Sequence, residues 1–237
     1  MKTELSEYFS GDELERAKAR LAAGEPIEYI TGKAYFYREE YIVTPDVLIP
    51  RPDTERVVEK LVSLLPPGGR FADLCSGSGC ISISALCERT DCTAYAFDIS
   101  EAAVEISLKN AEKNGVFDRF TAKRADINKL SDGDFDIIGD FDIIVSNPPY
   151  IESGVIPTLD PSVIDYEPKS ALDGGEDGLN FYRVILDKFK PKLCFIFEIG
   201  YNQADSVRAL ARERGMSCEI TRDYGGNDRV AVIKEIK

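Results

Sequence analysis

Asp73-Leu74-Cys75-Ser76-Gly77-Ser78-Gly79 leaves the apolar run that starts at Arg70 and opens directly into the helical pattern Gly79 to Glu88. A glycine-bearing turn between a strand and a helix is where a nucleotide-type cofactor meets a parallel α/β sheet, because Gly77 and Gly79 let the backbone approach a bound group closely. Asp98 closes the next apolar run, Thr93 to Asp98. A carboxylate about 20 residues after such a turn is placed to accept from ribose hydroxyls.

Working outward, strands and helices alternate. Helices are expected at Gly79–Glu88, Glu101–Asn114, Leu179–Phe189 and Gln203–Arg214. Strands are expected at Arg70–Cys75, Thr93–Asp98, Arg119–Ala125, Phe141–Ser146, Leu193–Glu198, Ser217–Arg222 and Arg229–Ile236. Alternation at this spacing predicts an α/β, Rossmann-like fold: a mostly parallel seven-stranded sheet flanked by helices. Upstream, Leu14, Ala17 and Leu21 lie at helical spacing in Gly11–Ala23, stopped by Gly24 and Pro26. Tyr29–Val47, rich in Tyr, Phe, Ile and Val, reads as a β-hairpin, and Asp53–Val62 as a helix with a prolyl entry. The near-duplicate Asp134-Phe135-Asp136-Ile137-Ile138 and Asp140-Phe141-Asp142-Ile143-Ile144 is too short for an architectural repeat and reads as a loop insertion.

The 237 residues suit one α/β domain plus a small appendage. The net charge of −13 disfavours a long nucleic-acid partner, because sequence-independent binding needs Lys and Arg to neutralise phosphates. No apolar run is long enough to span a bilayer, and the acidic start has no apolar signal region, so a cytoplasmic address is expected and no membrane partner. The six cysteines form no C-x-x-C pair and are expected as free thiols. There is no histidine, which removes the commonest metal ligand, the commonest general base and every Ser-His or Cys-His triad. No metal is expected, and any chemistry must rely on positioning, carboxylates, amides or a reactive cofactor.

Two acids favour S-adenosyl-L-methionine over a dinucleotide. Asp73, just before the turn, suits a cofactor carrying an ammonium and a sulfonium better than a pyrophosphate, which wants helix N-terminal amides and no nearby anion. Asp126, after the third strand, is placed to accept from the adenine amino group, with Ile127 covering the ring and Ile99 following Asp98 at the ribose. Each acid also fits the blander role of a strand-end or turn residue.

Asn147-Pro148-Pro149-Tyr150 follows the apolar strand Phe141 to Ser146, at the carboxyl end of a central strand, where open α/β sheets carry out their chemistry. The residue types match a planar NH₂ group as methyl acceptor. Such a nitrogen is a poor nucleophile when its lone pair is delocalised, so a catalyst must hold its hydrogens with acceptors and leave one face open. The Asn147 side-chain oxygen and the Pro148 carbonyl supply two acceptors, the prolines aim them in advance, and Tyr150 can pack on the flat group. In-line placement alone contributes about 7–11 kcal/mol of barrier reduction, against ~1 kcal/mol per acceptor hydrogen bond. A rigid loop capping a strand is the alternative.

With Pro26-Ile27-Glu28-Tyr29-Ile30-Thr31-Gly32, Leu48-Ile49-Pro50-Arg51-Pro52-Asp53-Thr54-Glu55, Tyr166-Glu167-Pro168, Ala171-Leu172, Gly175, Asp177-Gly178 and Arg222-Asp223-Tyr224-Gly225-Gly226-Asn227-Asp228-Arg229, the chain from about Pro26 to Lys234 resembles the release factor glutamine methyltransferase family. The resemblance implies a class I methyltransferase fold. It also implies S-adenosyl-L-methionine as methyl donor, S-adenosyl-L-homocysteine as product, and methylation of the Gly-Gly-Gln glutamine of a peptide chain release factor or of another glutamine-containing protein. It implies that Cys75, Ser76, Gly77, Ser78, Gly79, Asp98, Ile127 and Asn147 line the cofactor site and that Asn147, Pro148, Pro149 and Tyr150 bind the glutamine. Arg51 and Thr54 would border the methionine end of the cofactor, while Tyr224 and Arg229 read as packing and sheet-edge residues.

Cys75 departs from the glycine usual in the family's turn, and only about one helix precedes Pro26 where the family carries a multi-helix substrate-recognition domain. Residues 1–50 are accordingly expected as a short helix and hairpin left from that domain, and residues 51–237 as the methyltransferase domain. The tetrapeptide alone also occurs in adenine-N6 methyltransferases. That activity, and a non-catalytic adenosylmethionine-binding relative, are the competing readings.

Overall fold

The computed structural model describes residues 5–129 and 141–236. Seven strands form one sheet in the order β5-β4-β3-β6-β7-β9-β8. They are β3 (Arg70–Leu74), β4 (Thr93–Asp98), β5 (Phe120–Arg124), β6 (Ile143–Ser146), β7 (Cys194–Glu198), β8 (Met216–Arg222) and β9 (Asp228–Glu235). The five from β5 to β7 are parallel, and β9 runs antiparallel between β7 and β8. The expected mostly parallel sheet is therefore present, its boundaries within two residues of the sequence reading.

Side chains alternate between two cores. Phe71, Ile143, Val145 and Ile196 pack with Val57, Val58, Leu61, Ile83 and Leu86 on one face. Ala72, Leu74, Ile144, Phe195 and Phe197 pack with Tyr182, Ile185, Val207 and Ala211 on the other. Both faces are covered, so β6 and β7 read as unbroken apolar runs rather than alternating ones. The covering helices are α3 (Glu55–Leu64), α4 (Cys80–Glu88) and α5 (Glu101–Lys113) on one side, and α7 (Asn180–Lys188) and α8 (Ala204–Glu213) on the other. β3 is flanked by β4 on one side and β6 on the other, so connections leave in opposite directions from the middle of the sheet. That switch point opens a crevice at the strands' carboxyl ends.

The amino-terminal region departs from expectation. After α1 (Gly11–Ala22), residues Ile27–Thr31 form a short helix, α2, and not the first part of a hairpin. Pro26 starts it and Gly32, at φ +71, ends it in the left-handed region. Aromatic and β-branched residues favour strands only where a sheet receives them; here Tyr29 is buried and its hydroxyl donates to Val47 O at 2.7 Å. The hairpin is confined to β1 (Lys33–Phe36) and β2 (Glu39–Ile42).

The hairpin is fastened to the main domain. The Tyr41 hydroxyl bonds Ser84 Oγ at 2.7 Å and Cys80 O at 3.2 Å. Asn110 on α5 is fully buried; its Oδ1 accepts from Ile42 N at 2.7 Å, and its Nδ2 donates to Ile42 O and Ser78 O, each at 3.0 Å. One side chain thus joins the hairpin, α5 and the glycine turn.

A six-residue helix, α6 (Pro161–Tyr166), was not expected from periodicity; its signal is Asp160 accepting from Ser162 N ahead of Pro161 at the first helical position. The first half of the near-duplicate, Asp134 to Ile138, lies outside the described residues, whereas Phe141 is buried just before β6. All six cysteines are free thiols. Among the described residues no helix is long and apolar enough to cross a membrane, and no cluster of His, Cys, Asp or Glu is placed to hold a metal.

Asn110→Ala would strand the Ile42 N–H and the Ser78 carbonyl in a dry setting. Leaving a buried donor or acceptor unmet costs about 1–3 kcal/mol per group. The expected outcome is a loss of about 2–3 kcal/mol in urea unfolding, with the midpoint moved and the slope unchanged.

Candidate active site

A cavity of about 420 Å³ opens at the carboxyl ends of β3 to β6. Its walls come from the turn after β3, the ends of β4 and β5, the segment 46–54 that leads into α3, the segment 147–153 after β6, and the loop 168–175 with the start of α7.

The turn is held by its own backbone and by Asp98. Gly77 N donates to Asp98 Oδ2 at 2.8 Å and Ser100 N to Oδ1 at 2.9 Å. Burial pushes the Asp98 carboxyl above its ordinary range, and these backbone N–H groups pull it part of the way back. Gly77 at φ +53 has open space where a Cβ would stand. Ser76 and Ser78 also line the cavity, and the buried Ser76 hydroxyl has no partner within the protein. Cys75 lines the cavity as well, at φ +60, in the left-handed region that favours glycine. Burial raises its thiol well above the ordinary range, so it is not a thiolate nucleophile.

Asp126, Ile127 and Ile99 stand on the cavity wall as expected. Burial works to raise the Asp126 carboxyl, but hydrogen bonds from Lys129 and from Asn128 N outweigh it and hold the group below its usual value.

Asp73 and Gly79 are not on the wall. Asp73 is fully buried beneath the turn, where Ser82 Oγ donates to Oδ2 at 2.7 Å while Oδ1 has no partner. Burial pushes its carboxyl up to about 7. Gly79 caps the start of α4 at φ +79; a Cβ there would come within 3.0 Å of Ile83 Cδ1, so it serves helix packing and not ligand contact.

In the tetrapeptide, Asn147 and Pro149 line the cavity, while Pro148 and Tyr150 do not. The Asn147 Nδ2 donates to Thr54 Oγ1 at 3.3 Å, which leaves its oxygen uncommitted. Tyr150 was expected to lie against a substrate amide, but it turns inward: its hydroxyl donates to Glu198 Oε1 at 3.1 Å. A buried phenol must find an acceptor, and the carboxylate at the end of β7 provides one.

The loop 172–179 grips the tetrapeptide from behind. Ile151 N donates to Leu172 O at 3.0 Å and Gly174 N to Ile151 O at 2.8 Å. Gln203 Nε2 donates to Tyr150 O at 2.9 Å and to Gly178 O at 3.3 Å. A Cβ on Gly178 would stand 2.3 Å from Tyr150 O, so this close approach requires glycine. Across the cavity, Arg51 forms an ion pair with Glu167, which is 5% exposed, linking the 46–54 segment to the loop that begins at Pro168. Arg229 pairs with Asp223 and Asp53, each at 3.2 Å, and ties β9 to the turn at Pro52; Tyr224 is exposed. Arg229 is buried, as a packing residue would be, whereas Tyr224 lies at the surface with the Arg56 guanidinium 4.8 Å from its ring centroid.

Sequence reasoning missed Phe181, Asn180 and Leu48 on the cavity wall and Glu198 and Gln203 behind it. No local spacing distinguishes them, since they converge only through the fold. Glu198 and Gln203 follow an apolar strand as ordinary polar residues in sequence, and only the fold shows that both are buried.

Holding a non-glycine residue in the left-handed region costs about 1–3 kcal/mol. Cys75→Gly is expected to raise thermal stability by about 1 kcal/mol, since part of the relief is offset by the freer unfolded chain. Cys75→Val should lower it by more, as read by thermal denaturation of the two variants side by side.

Residues 53–161 match the methyltransferase small domain family. Similar proteins include the release factor glutamine methyltransferase of Agrobacterium fabrum, 38% identical over 227 residues, covering 91% of this chain and 76% of that protein. That of Bacillus subtilis is 37% identical over 247 residues, covering 95% and 82%. Among solved structures, the hMettl16 catalytic domain in complex with a 3′UTR hairpin has the same fold, with a TM-score of 0.65 at 15% identity over 83% of this chain and 75% of that one. With 38% and 37% identity to these two bacterial enzymes over nine-tenths or more of its own length, the chain belongs to the release factor glutamine methyltransferase family of enzymes.

Proposed function

We propose that this protein transfers a methyl group from S-adenosyl-L-methionine to the side-chain amide nitrogen of a protein glutamine, namely the Gly-Gly-Gln glutamine of a peptide chain release factor, in the cytoplasm. The observation that carries the reading is Asn147 on the cavity wall with its NH₂ committed to Thr54 and its oxygen left to accept.

The residues present fit the cofactor. Asp98 and Asp126 offer acceptors for hydroxyl and amino groups, Ile99 and Ile127 offer apolar cover, and the Ser76 hydroxyl is a buried polar group lacking a partner. The carboxylates on this wall also suit a cationic ligand better than a pyrophosphate. When bound, the cofactor supplies an electrophilic methyl group on sulfur. The protein's part is to bind, orient and exclude water. Asn147 Oδ1 accepts from the substrate NH₂ and turns one face of the nitrogen outward. The proton leaves after methylation, when the nitrogen has become acidic, so no histidine is required. Asp46, Val47, Leu48 and Pro50, ahead of the methyltransferase domain, form one wall of the cavity.

Incubation with labelled adenosylmethionine and release factors, followed by mass mapping, should place one methyl group on the glutamine of Gly-Gly-Gln. Label on adenine of RNA or DNA would replace this reading with the nucleic-acid one, and cofactor binding with no transfer to any amide would favour a non-catalytic relative. Asn147→Ala is expected to keep cofactor affinity within about tenfold, since one hydrogen bond is worth roughly 0.5–1.5 kcal/mol, while turnover falls by about 100-fold or more. Equal losses in both would assign Asn147 to scaffolding.

A further inference from the structure

Gln203 stands just ahead of α8, buried at 6% exposure and off the cavity wall, and methyl transfer does not use it directly. Its Oε1 accepts from Gly200 N at 2.9 Å. The Tyr182 hydroxyl, which donates to Glu198 O at 2.8 Å, lies 3.4 Å from the same oxygen. Its Nε2 donates to Tyr150 O at 2.9 Å and to Gly178 O at 3.3 Å. Each of these carbonyls belongs to a segment that forms cavity wall: Tyr150 follows Pro149, and Gly178 lies between Gly175 and Asn180. Among the described residues the Gln203 side chain makes no bond to the glycine turn, to Asp98 or to Asp126.

We propose that Gln203 is a positioning residue for the substrate side of the site: by holding the Tyr150 and Gly178 carbonyls on one NH₂ group, it fixes Asn147 and Pro149 relative to Gly175, Asn180 and Phe181, in the part of the cavity that receives the glutamine side chain. This rests on the amide-methylation reading, in which the acceptor nitrogen meets Asn147 in line with a methyl group. The partners of Gln203 leave its amide one orientation. A backbone N–H only donates and a backbone carbonyl only accepts, at any pH. Turned over, the amide would set its oxygen against two carbonyls and its NH₂ against the Gly200 N–H. Close packing removes the slack, since a Cβ on Gly178 would stand 2.6 Å from Gln203 Nε2 and one on Gly174 would stand 2.7 Å from Tyr150 Cα. Two backbone bonds continue the seam, Ile151 N to Leu172 O and Gly174 N to Ile151 O. A misplacement of about 1 Å at the reacting atoms costs on the order of 100-fold in rate, so a clamp of this kind is read in turnover.

The test is methylation of a release factor by variants at position 203, with cofactor affinity by calorimetry and melting temperature as a folding control. Gln203→Leu removes the donor and the acceptor together and should lower kcat about tenfold or more, with cofactor Kd within about threefold. Gln203→Glu gives a readout that a loss of packing would not. Its carboxyl can accept from Gly200 N in either state, but it has a proton to offer the Tyr150 carbonyl only while neutral, the form that burial favours. The kcat of Q203E relative to wild type should be within about threefold at about pH 6 and fall about tenfold or more by about pH 9, as the acid ionises and sets an anion against two carbonyls. A ratio that does not change with pH, an unchanged kcat in Q203L, or a loss confined to cofactor affinity would overturn the proposal.

A second readout needs no substrate. The backbone amides of Ile151 and Gly174 should exchange with solvent faster in Q203L than in wild type, while those of β3 and β4 keep their protection. If wild type methylated no amide, the functional reading alone would fall, and exchange at Ile151 and Gly174 would still decide whether Gln203 holds the tetrapeptide to the loop; unchanged exchange there counts against it. Should Q203L fail to fold, Q203E at the alkaline end decides by the same two measurements.

Discussion

The parallel pairing of β3 with β6 is the constraint on which the site depends. In sequence the two strands are about seventy residues apart, yet the register sets Leu74 opposite Ser146, and the Ser146 hydroxyl donates to Leu74 O at 2.5 Å. The residues that follow each strand, the glycine turn on one side and Asn147 on the other, therefore emerge side by side at the same edge of the sheet. A one-residue slip would move every buried side chain of β6 to the wrong face, and the two filled cores make that prohibitive. Packing energy thus sets the distance between a cofactor turn and a catalytic loop.

Around that pairing the protein spends its buried polar groups on orientation. Asp98 receives the N–H groups of Gly77 and Ser100, Gln203 receives Gly200 N while donating to Tyr150 O and Gly178 O, and Asn110 joins three elements. Each bond is modest in net terms, about 1 kcal/mol, but a stranded partner costs more than a made bond gains, so each bond is worth most as a specification of geometry. This suits a site without histidine, where transfer depends on placing a nitrogen in line with a methyl group. The close approach of Gly174 and Gly178 to Tyr150 serves the same end, holding the tetrapeptide by contact where a Cβ would push it away.

Asp73 is adjacent to the cofactor turn in sequence and yet off the cavity wall in space. The strand geometry explains the difference: Asp73 is the penultimate residue of β3 and its side chain passes under the turn to Ser82. Tyr150 differs for a related reason. A ring at the end of a tetrapeptide has two sides to choose from, and the choice went to the buried carboxylate of Glu198, which no local pattern places nearby. The short helix at Ile27–Thr31 shows the same limit, since a run of aromatic and branched residues takes the form its neighbours accept.

The sequence by itself determined the alternation of strands and helices, the glycine turn with Asp98 after it, the tetrapeptide after an apolar strand, and a chemistry free of histidine, because each of these is a local pattern or a composition. Only the tertiary structure decided which acids face the cavity, that Arg51 reaches Glu167 across it, and that Thr54 stands behind Asn147 and Glu198 behind Tyr150. Those relations join residues that lie tens to over a hundred positions apart, and distance along the chain carries no record of the packing that brings them into contact.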